Sequence, residues 1–194
     1  MPEPIPESAR ERAIATIVGA FAEDPVERWL FPDRDDYLAH FPDFVAALGG
    51  RAFECGTAWS LADLRAVALW LPPGTEADGE AIGTILGEHV AVGKHDDLFS
   101  VLDQMDEQHP TFAHWYLPWL GVHPDDRGRG LGSELLMHCL TVVDDHTLPA
   151  YLETPTPRTI PLYRRHGFEI VGVAKAGGCP PLTLMLRAAR RPSP

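Results

Sequence analysis

The sequence predicts an α/β layered fold, because short apolar runs typical of strands alternate with longer segments that carry a helical repeat. Hydrophobic residues make up 45% and charged residues 23% of the 194 residues, the ordinary balance of a globular protein. A chain of this length is expected to form one domain over residues 1–194. Its proline-rich ends, 1–7 and 189–194, are expected to be flexible.

The elements follow in order along the chain. Ser8 and Glu11 have the spacing of a capping box and begin the first helix, which is expected to end near Asp24-Pro25. The nearly all-apolar run 65–71 is expected to be a central strand. Further helices are expected at 35–48 with an interruption at Pro42, 77–92, 96–108, 131–142 and 159–166, and further strands at 57–60, 113–122, 151–154, 168–174 and 182–187.

Composition also limits location and function. No run of 18 apolar residues is present, so no membrane span is predicted, and the N-terminus lacks the basic and apolar regions of a secretory signal. The scattered cysteines, Cys55, Cys139 and Cys179, indicate reduced thiols rather than a disulfide framework. Together these features predict a cytoplasmic protein.

The net charge of −12 is unevenly distributed. Residues 1–126 carry 7 basic and 23 acidic side chains, whereas residues 127–194 carry 9 basic and 5 acidic ones. The overall acidity disfavours a nucleic-acid partner, because a phosphate backbone requires a basic face. The asymmetry has two interpretations: solubility alone, or an anion bound by the C-terminal third and a cation that meets the acidic part.

A glycine-rich turn over 127–132, Arg-Gly-Arg-Gly-Leu-Gly, lies between a strand that ends at Val122 and a helix. Glycines allow several backbone N–H groups to converge, and the helix N-terminus adds the positive end of its dipole. Arg127 and Arg129 place charge beside them. The turn therefore predicts a pyrophosphate-binding site. It has neither the lysine of a P-loop nor the spacing of a dinucleotide-binding fingerprint, and a plain loop is the alternative.

The same turn carries a resemblance to a known family. Arg127-x-x-Gly130-x-Gly132 resembles the (Gln/Arg)-x-x-Gly-x-(Gly/Ala) signature of GNAT acetyltransferases. The segment from Tyr151 to Phe168 resembles their second conserved block, which usually ends in Tyr-x-x-x-Gly-Phe. The resemblance spans most of the chain. It implies an N-acetyltransferase with acetyl-CoA as co-substrate, and a mixed, twisted sheet splayed between strand 4 (113–122) and strand 5 (150–154), with helices on both faces.

The resemblance also implies roles for individual residues. Tyr163 matches the tyrosine that protonates the departing thiolate, and Glu153 is expected to act as general base or to orient the amine. Pro118 predicts a bulge, and the resemblance implies that the N–H near it, at Leu120, polarises the acetyl carbonyl. The residues expected to contact the cofactor are Leu120, Gly121, Val122, Arg127, Gly128, Arg129, Gly130, Leu131, Gly132, Ser133 and Thr159.

Each of these roles has a structural alternative. Pro118 could mark an edge strand, Tyr163 could pack on the sheet, and Glu153 could hold the following turn. Two positions also depart from the family pattern. Thr159 occupies the place of an asparagine that commonly helps to hold the cofactor arm, and Thr forms fewer hydrogen bonds. The first strand is expected to be short or absent, since only Pro2 to Pro6 precede the opening helix.

The charge asymmetry favours a small cationic amine, antibiotic-like or a metabolite, as the acceptor. Its pocket is expected to form from about 24–50 and 75–112. A CoA-binding sensor or partner subunit with little catalysis, and an enzyme that acetylates proteins, stay open as alternatives, as does the oligomeric state. No His/Glu or Cys/His pair has metal-ligand spacing, so no metal site is predicted. The histidine pairs are expected on the surface or in the acceptor pocket: His89 and His95, and His109 and His114.

Overall fold

One β-sheet of seven strands runs through residues 1–190, the part of the chain that the computed structural model describes, and eight α-helices pack against it. The strands are β1 (Glu3–Pro4), β2 (Ala58–Leu61), β3 (Ala66–Leu71), β4 (Trp115–Val122), β5 (Ala150–Thr154), β6 (Glu169–Ala174) and β7 (Leu182–Arg187). The helices are α1 (Arg10–Phe21), α2 (Pro25–Leu30), α3 (Arg34–Gly49), α4 (Arg51–Glu54), α5 (Gly79–His89), α6 (His95–Gln108), α7 (Leu131–Asp145) and α8 (Ile160–Arg165).

The sheet order is β1-β2-β3-β4-β5-β7-β6, and all neighbouring strands are antiparallel except β4 and β5. This parallel pair is joined only at Trp115 with Ala150 and at Tyr116 with Tyr151. Both strands continue beyond that point without pairing to each other. The sheet is therefore open between its fourth and fifth strands.

The residues of β3 are all buried, and alternate side chains enter two different cores. Val67 and Leu69 pack with residues of α1, α2, α3, α5 and α6, whereas Ala66 and Trp70 pack with residues of α7 and α8. A strand covered on both faces requires an apolar side chain at every position, which is why 65–71 is conspicuous in the sequence. The two cores and the opening between β4 and β5 confirm the predicted mixed α/β sheet, splayed between strands 4 and 5, with helices on both faces.

The N-terminal segment forms the edge of the sheet. β1 is only two residues long and pairs with Ser60 and Trp59, and the buried Ile5 donates its N–H to the carbonyl of Ala58. The first strand is therefore short, as expected, and residues 1–7, expected to be flexible, include this pairing. At the other end, residues 191–194 of the expected flexible stretch 189–194 lie outside the described residues.

Several helices differ from the sequence-based prediction. The predicted capping box is wrong: α1 is preceded by a short 3-10 turn, and its N-cap is Ala9, with no side-chain cap. α3 continues through Pro42 without interruption. The sequence did not predict α2, which begins at Pro25 with Asp24 as its N-cap, at the residue pair near which the first helix was expected to end.

Candidate active site

A change of register in β4 shapes the opening of the sheet. Pairing with β3 shifts between Leu69 and Leu71, opposite the segment of β4 that contains Pro118. Proline cannot donate to the ladder, so the irregularity falls where the sequence predicted a bulge. Downstream of it, β4 is paired to β3 again but no longer to β5, which leaves one of its edges facing the splay.

The pairing pattern also determines where the Leu120 backbone points. The N–H of His123 donates to the carbonyl of Arg65, the residue directly opposite His123, at 2.8 Å. In an antiparallel pair the residues alternate between those that exchange hydrogen bonds and those that do not. Gly121 therefore directs its N–H toward β3, whereas Leu120 directs its N–H away from β3, into the splay. A ligand group in the opening can accept a hydrogen bond from it.

The glycine-rich turn leads from β4 to α7 through two left-handed glycines. Gly128 has φ +74° and Gly130, the N-cap of α7, has φ +87°. A Cβ built on either glycine has no atom within 4 Å, so the turn faces open space. The first N–H groups of an α-helix have no acceptor within the helix, and those of α7 begin at this turn. The arrangement fits a bound anion.

A cavity extends from this turn to the splay. Its lining contains ten of the eleven residues expected at the cofactor site, all except Arg129. Arg129 instead donates to Asp126 at 2.6 Å, while Arg65 holds the other carboxylate oxygen. The hydrogen bond from Arg65, and to a smaller extent that from Arg129, lowers the pKa of Asp126. The side chain of Arg129 thus stabilises the loop before the turn rather than lining the cavity.

Three arginines line the cavity, and one of them forms a hydrogen bond that anchors the turn. Arg127 donates to the carbonyl of Ala20, next to the end of α1, at 2.5 Å, which anchors the turn to that helix. Arg158 and Arg165 also line the cavity, and the sequence analysis missed both as site residues. Their exposed positions beside α8 become informative only when the fold brings α8 next to the turn.

The hydroxyl of Thr159 is engaged within its own loop. It donates to the carbonyl of Thr156 at 2.7 Å and lies 2.7 Å from the hydroxyl of Thr154. Because a carbonyl can only accept, the single hydrogen of Thr159 is committed to Thr156, and Thr154 donates to Thr159. Thr159 lines the cavity and retains acceptor capacity there, but it stabilises the turn after β5 first.

Tyr163 lies on α8 where two cavities meet. It is 8% exposed, packs edge-on against Phe168, and lines both the cavity beside the glycine turn and a second one between β4, β5 and the helices α2, α3, α5 and α6. Burial, and then the charge of Asp24, raises the pKa of Tyr163. Its hydroxyl therefore stays protonated over the usual pH range and can act as a donor.

The second cavity is mostly apolar, and we call it the acceptor pocket. It takes lining residues from the two segments expected to build it, 24–50 and 75–112, and from β4 and β5. Aromatic and aliphatic side chains such as Phe44, Met105 and Trp119 dominate its wall. Among the described residues, the acidic side chains in its lining are Glu27 and Glu153.

Glu153 extends from β5 beside two tyrosines and a histidine. Its side chain is 6% exposed, and its Oε1 lies 3.8 Å from Nδ1 of His109. Burial and the charge of Glu153 raise the pKa of Tyr116 and that of Tyr151. Glu153 thus lies in the wall of this cavity, next to a polar cluster formed by His109, Tyr116 and Tyr151.

Glu27 is a pocket residue that the sequence analysis missed. It lies on α2, is 5% exposed, and its Oε2 has no hydrogen-bond partner among residues 1–190. Burial, and then the charge of Asp24, raises the pKa of Glu27 well above its ordinary value. Asp24 caps α2 through the Val26 N–H and accepts a hydrogen bond from Thr156, which ties α2 to the loop after β5. The Asp24-Pro25 pair is the signal that could have revealed α2, since Asp is a common N-cap and Pro a common first helical residue.

Within the described range, no helix is both long enough and apolar enough to cross a bilayer. The same residues contain no cluster of three or more histidine, cysteine, aspartate or glutamate side chains suited to a metal ion.

Comparison with known proteins gives consistent results. The profile of the acetyltransferase (GNAT) family matches residues 23–168. An uncharacterised N-acetyltransferase of Schizosaccharomyces pombe is 23% identical over 206 residues, which cover 91% of this chain and 78% of that protein. Among solved structures, a histone acetyltransferase HPA2-related protein of Corynebacterium glutamicum is similar with a TM-score of 0.69 and 23% identity, covering 100% of this chain and 98% of that one. The polyamine N-acetyltransferase of Drosophila melanogaster is similar with a TM-score of 0.63 and 14% identity, covering 96% and 97%.

Proposed function

The chain belongs to the acetyltransferase (GNAT) family, and from this premise we propose that it acts as a single domain that transfers an acetyl group from acetyl-CoA to an amine of a small cationic molecule. The observation that carries the proposal is the position of Leu120 and Tyr163. Both line the cavity beside the glycine turn and the acceptor pocket, so a backbone donor and a side-chain donor lie where the two cavities meet.

The cavity beside the turn fits the pyrophosphate of CoA. The Cβ positions of Gly128 and Gly130 face open space, and the N-terminus of α7 offers backbone N–H groups there. Arg127, Arg158 and Arg165 supply positive charge along the lining. Gly121 allows close packing behind the site, because a Cβ at this position would lie 2.9 Å from Ala20 Cβ and Ile17 Cδ1.

When bound, acetyl-CoA supplies an activated acetyl group and a thiol leaving group. The N–H of Leu120, directed into the splay, would donate to the acetyl oxygen and stabilise the charge that develops on it. Tyr163 would donate a proton to the departing sulfur, since its hydroxyl is kept protonated by burial. Thr159, committed to Thr156, would contribute to the cofactor arm mainly by shaping the turn.

Glu153 would take the proton that the acceptor must lose. A primary alkyl amine resembles lysine, with a pKa of about 10, so it arrives as an ammonium ion that cannot attack a carbonyl. Glu153 lies in the acceptor pocket wall, and its carboxylate can accept that proton directly or through water.

Glu27 supports a cationic acceptor with an apolar body. Its Oε2 lacks a partner within the described residues, and Glu27 lines the mostly apolar pocket, so an ammonium group that reached this oxygen would supply the missing hydrogen bond. The segments 20–25, 66–70, 121–122 and 152–154 further resemble puromycin N-acetyltransferase, which acts on an antibiotic's primary amine. The similar polyamine N-acetyltransferase of Drosophila catalyses the formation of N-acetylagmatine.

The test is an acceptor screen with purified protein and acetyl-CoA, with free thiol measured by a colorimetric reagent and acetylated amine by mass spectrometry. The panel contains puromycin, an aminoglycoside, spermidine, agmatine and 2-phenylethylamine, with glutamate as an anionic amine. We expect one or more cationic amines to release thiol well above the rate of acetyl-CoA hydrolysis, and glutamate to release none above it.

The alternatives give different results in the same screen. CoA binding by calorimetry without thiol release for any amine would indicate a CoA-binding sensor or subunit. Release with a peptide N-terminus or a lysine peptide, but with no small amine, would indicate a protein acetyltransferase.

A further inference from the structure

Two histidines lie between the acceptor pocket and an open cavity on the protein surface. His109 follows α6 directly, and His114 directly precedes β4. Both line the surface cavity, whereas Glu153 lines the acceptor pocket, and Tyr116 lines the two. His109 thus has Glu153 on one side, with Nδ1 to Oε1 at 3.8 Å, and His114 on the other, with the two Nε2 atoms 3.1 Å apart.

The contacts of His114 determine which nitrogen of each ring carries a proton. Nδ1 of His114 lies 2.8 Å from the carbonyl of Phe112, and a carbonyl only accepts, so this nitrogen carries the hydrogen. Burial lowers the pKa of His114, which favours the neutral ring with a lone pair on Nε2. His109 must therefore donate its Nε2–H to His114, and a neutral His109 has its lone pair on Nδ1, facing Glu153.

Two proton acceptors thus face each other across 3.8 Å, a carboxylate oxygen and an imidazole lone pair. That distance is beyond a direct hydrogen bond, and a small rotation or one water molecule closes it. One added proton would allow Glu153 and His109 to form a hydrogen bond through these two atoms. The acceptor pocket is mostly apolar, so a proton released inside it has few other places to go.

We propose that His109 is the outlet for the proton that Glu153 removes from the acceptor ammonium, and that His114 is a positioning residue that keeps Nδ1 of His109 free to accept it. The inference rests on the proposed function. It gives a role to His109 and His114, which the sequence analysis expected only on the surface or in the acceptor pocket.

The proton balance is simple. Acetylation of an ammonium ion releases one net proton, and the second proton that the nitrogen loses replaces the one that Tyr163 gives to the thiolate. As the ammonium N–H bond breaks, an O–H bond forms on Glu153. That bond then breaks as an N–H bond forms at Nδ1 of His109, which restores the carboxylate and produces an imidazolium ion. His109, whose side chain is 34% exposed, loses this proton to water of the surface cavity.

The groups around His109 bear on any pH dependence. The titratable residues that contact His109 or line the surface cavity with it are Glu153 and Tyr151 on β5, Tyr116 on β4, Asp106 on α6, and His114 and Glu76 on loops. The raised pKa of Tyr116 and that of Tyr151 keep these hydroxyls protonated, so they do not compete with His109 as bases.

The first test is kinetic and uses an acceptor found in the screen, with 2-phenylethylamine as the initial probe. His109→Ala should lower kcat near pH 7 by roughly 10- to 100-fold, less than the 10²–10⁴ of direct acid–base catalysis, with KM for acetyl-CoA unchanged. Added imidazole should restore much of the loss, because a small base can enter from the surface cavity. His146→Ala, which removes an exposed histidine at the end of α7, is the control and should retain wild-type kcat and no imidazole response.

A wild-type kcat for His109→Ala, with chemistry shown to be the slow step, would overturn the proposal. So would a loss that is the same at every pH and every imidazole concentration, because that is the behaviour of a packing defect.

The second test does not need an acceptor. Nitrogen-15 NMR of the wild-type histidine rings should show the proton of His109 on Nε2 and that of His114 on Nδ1. Glu153→Gln should shift the Nδ1 resonance of His109 and leave His146 unchanged. The opposite tautomer in either ring refutes the proton outlet even if no amine is acetylated, whereas the expected tautomers with an inactive wild-type protein would refute only the transfer function.

Discussion

Glu27 illustrates what a single residue costs the fold. Its carboxyl is buried, one oxygen lacks a partner within the described residues, and the charge of Asp24 lies close by. An unpaired buried carboxylate is strongly unfavourable, and this cost raises the pKa of Glu27 and destabilises the free protein once the group must ionise. A bound cation that supplies the missing partner would offset the cost, which is the part that the proposed function gives to Glu27.

The stability effect has a definite sign. A raised folded-state pKa means that the unfolded chain ionises first, so the wild type loses stability as pH rises from about 4.5 to the folded pKa of Glu27. Glu27→Gln removes this titration. We expect the Tm of the variant to exceed that of the wild type by about 2–4 °C for each 1 kcal/mol removed, with a difference that grows as pH rises above about 4.5. Differential scanning calorimetry across pH measures this.

Glu54→Gln is the matched control, since Glu54 is exposed and its Tm difference should stay near zero at every pH. A Glu27→Gln variant that is less stable than the wild type at pH 8 would show that Glu27 has a stabilising partner, and would remove the argument for a bound cation.

Tyr163 provides the residue-scale test of the chemistry. Tyr163→Phe removes the hydroxyl and keeps the ring that packs on Phe168. If the hydroxyl donates to the departing sulfur, turnover should fall by about 10²–10⁴ with CoA affinity retained. Steady-state kinetics with calorimetry measures both. Unchanged turnover, with chemistry rate-limiting, would assign Tyr163 to packing alone.

At the scale of elements, a site can be predicted from the sequence where one short segment contains all the residues that form it. The turn 127–132 carries its glycines, its arginines and the helix start in six consecutive residues, and the structure places all but Arg129 in one cavity. The position of Arg129 could not be predicted locally, because its partner, Asp126, also accepts a hydrogen bond from Arg65, which lies far away in the sequence, directly before β3. The acceptor pocket combines α2, α3, α5, α6, β4 and β5, so no local pattern reveals it.

The helix boundaries that differ from the sequence-based prediction also have a physical explanation. Proline removes one helical hydrogen bond, that to the carbonyl four residues earlier, which for Pro42 is Leu38. Leu38 is 49% exposed, so water can satisfy this carbonyl, and α3 continues. The same logic applies at Pro25, where the first helical position needs no N–H at all.

The turn between β4 and α7 can be tested as an element. Gly130→Val forces a β-branched residue into φ +87° and fills the open space beside the first N–H groups of α7. We expect CoA binding, measured by calorimetry, to be lost. Gly83→Val is the control for a glycine on an exposed helix face, since a Cβ there also meets open space but its φ is helical, and it should retain binding. Wild-type CoA affinity in Gly130→Val would exclude the turn as the pyrophosphate site.

At the scale of the whole molecule, the two charge populations meet at the splay of the sheet. Residues 1–126, with 23 acidic side chains, supply β1–β4, α1–α6 and most of the acceptor pocket. Residues 127–194 supply Arg127, Arg158 and Arg165 of the neighbouring cavity. A polyanionic cofactor and a cationic acceptor would therefore approach from regions of opposite charge, which separates the two substrates before they meet at Leu120 and Tyr163.

This separation makes salt the measurement that decides between steering and simple solubility. An acidic approach concentrates a cation and speeds its encounter with the pocket, and ions screen that attraction. Raising ionic strength from about 0.01 M to about 1 M shortens the Debye length from about 30 Å to about 3 Å, so kcat/KM for a cationic amine should fall by roughly threefold to tenfold. An aniline, which stays neutral near pH 7, serves as the matched acceptor whose kcat/KM should hardly change with salt.

The kcat/KM for the alkyl amine should also rise with pH, because the fraction of neutral amine increases as the pH approaches the ammonium pKa of about 10. A salt-independent kcat/KM for the alkyl amine, or efficient acetylation of an anionic amine, would mean that the acidity of residues 1–126 serves solubility and does not select the acceptor.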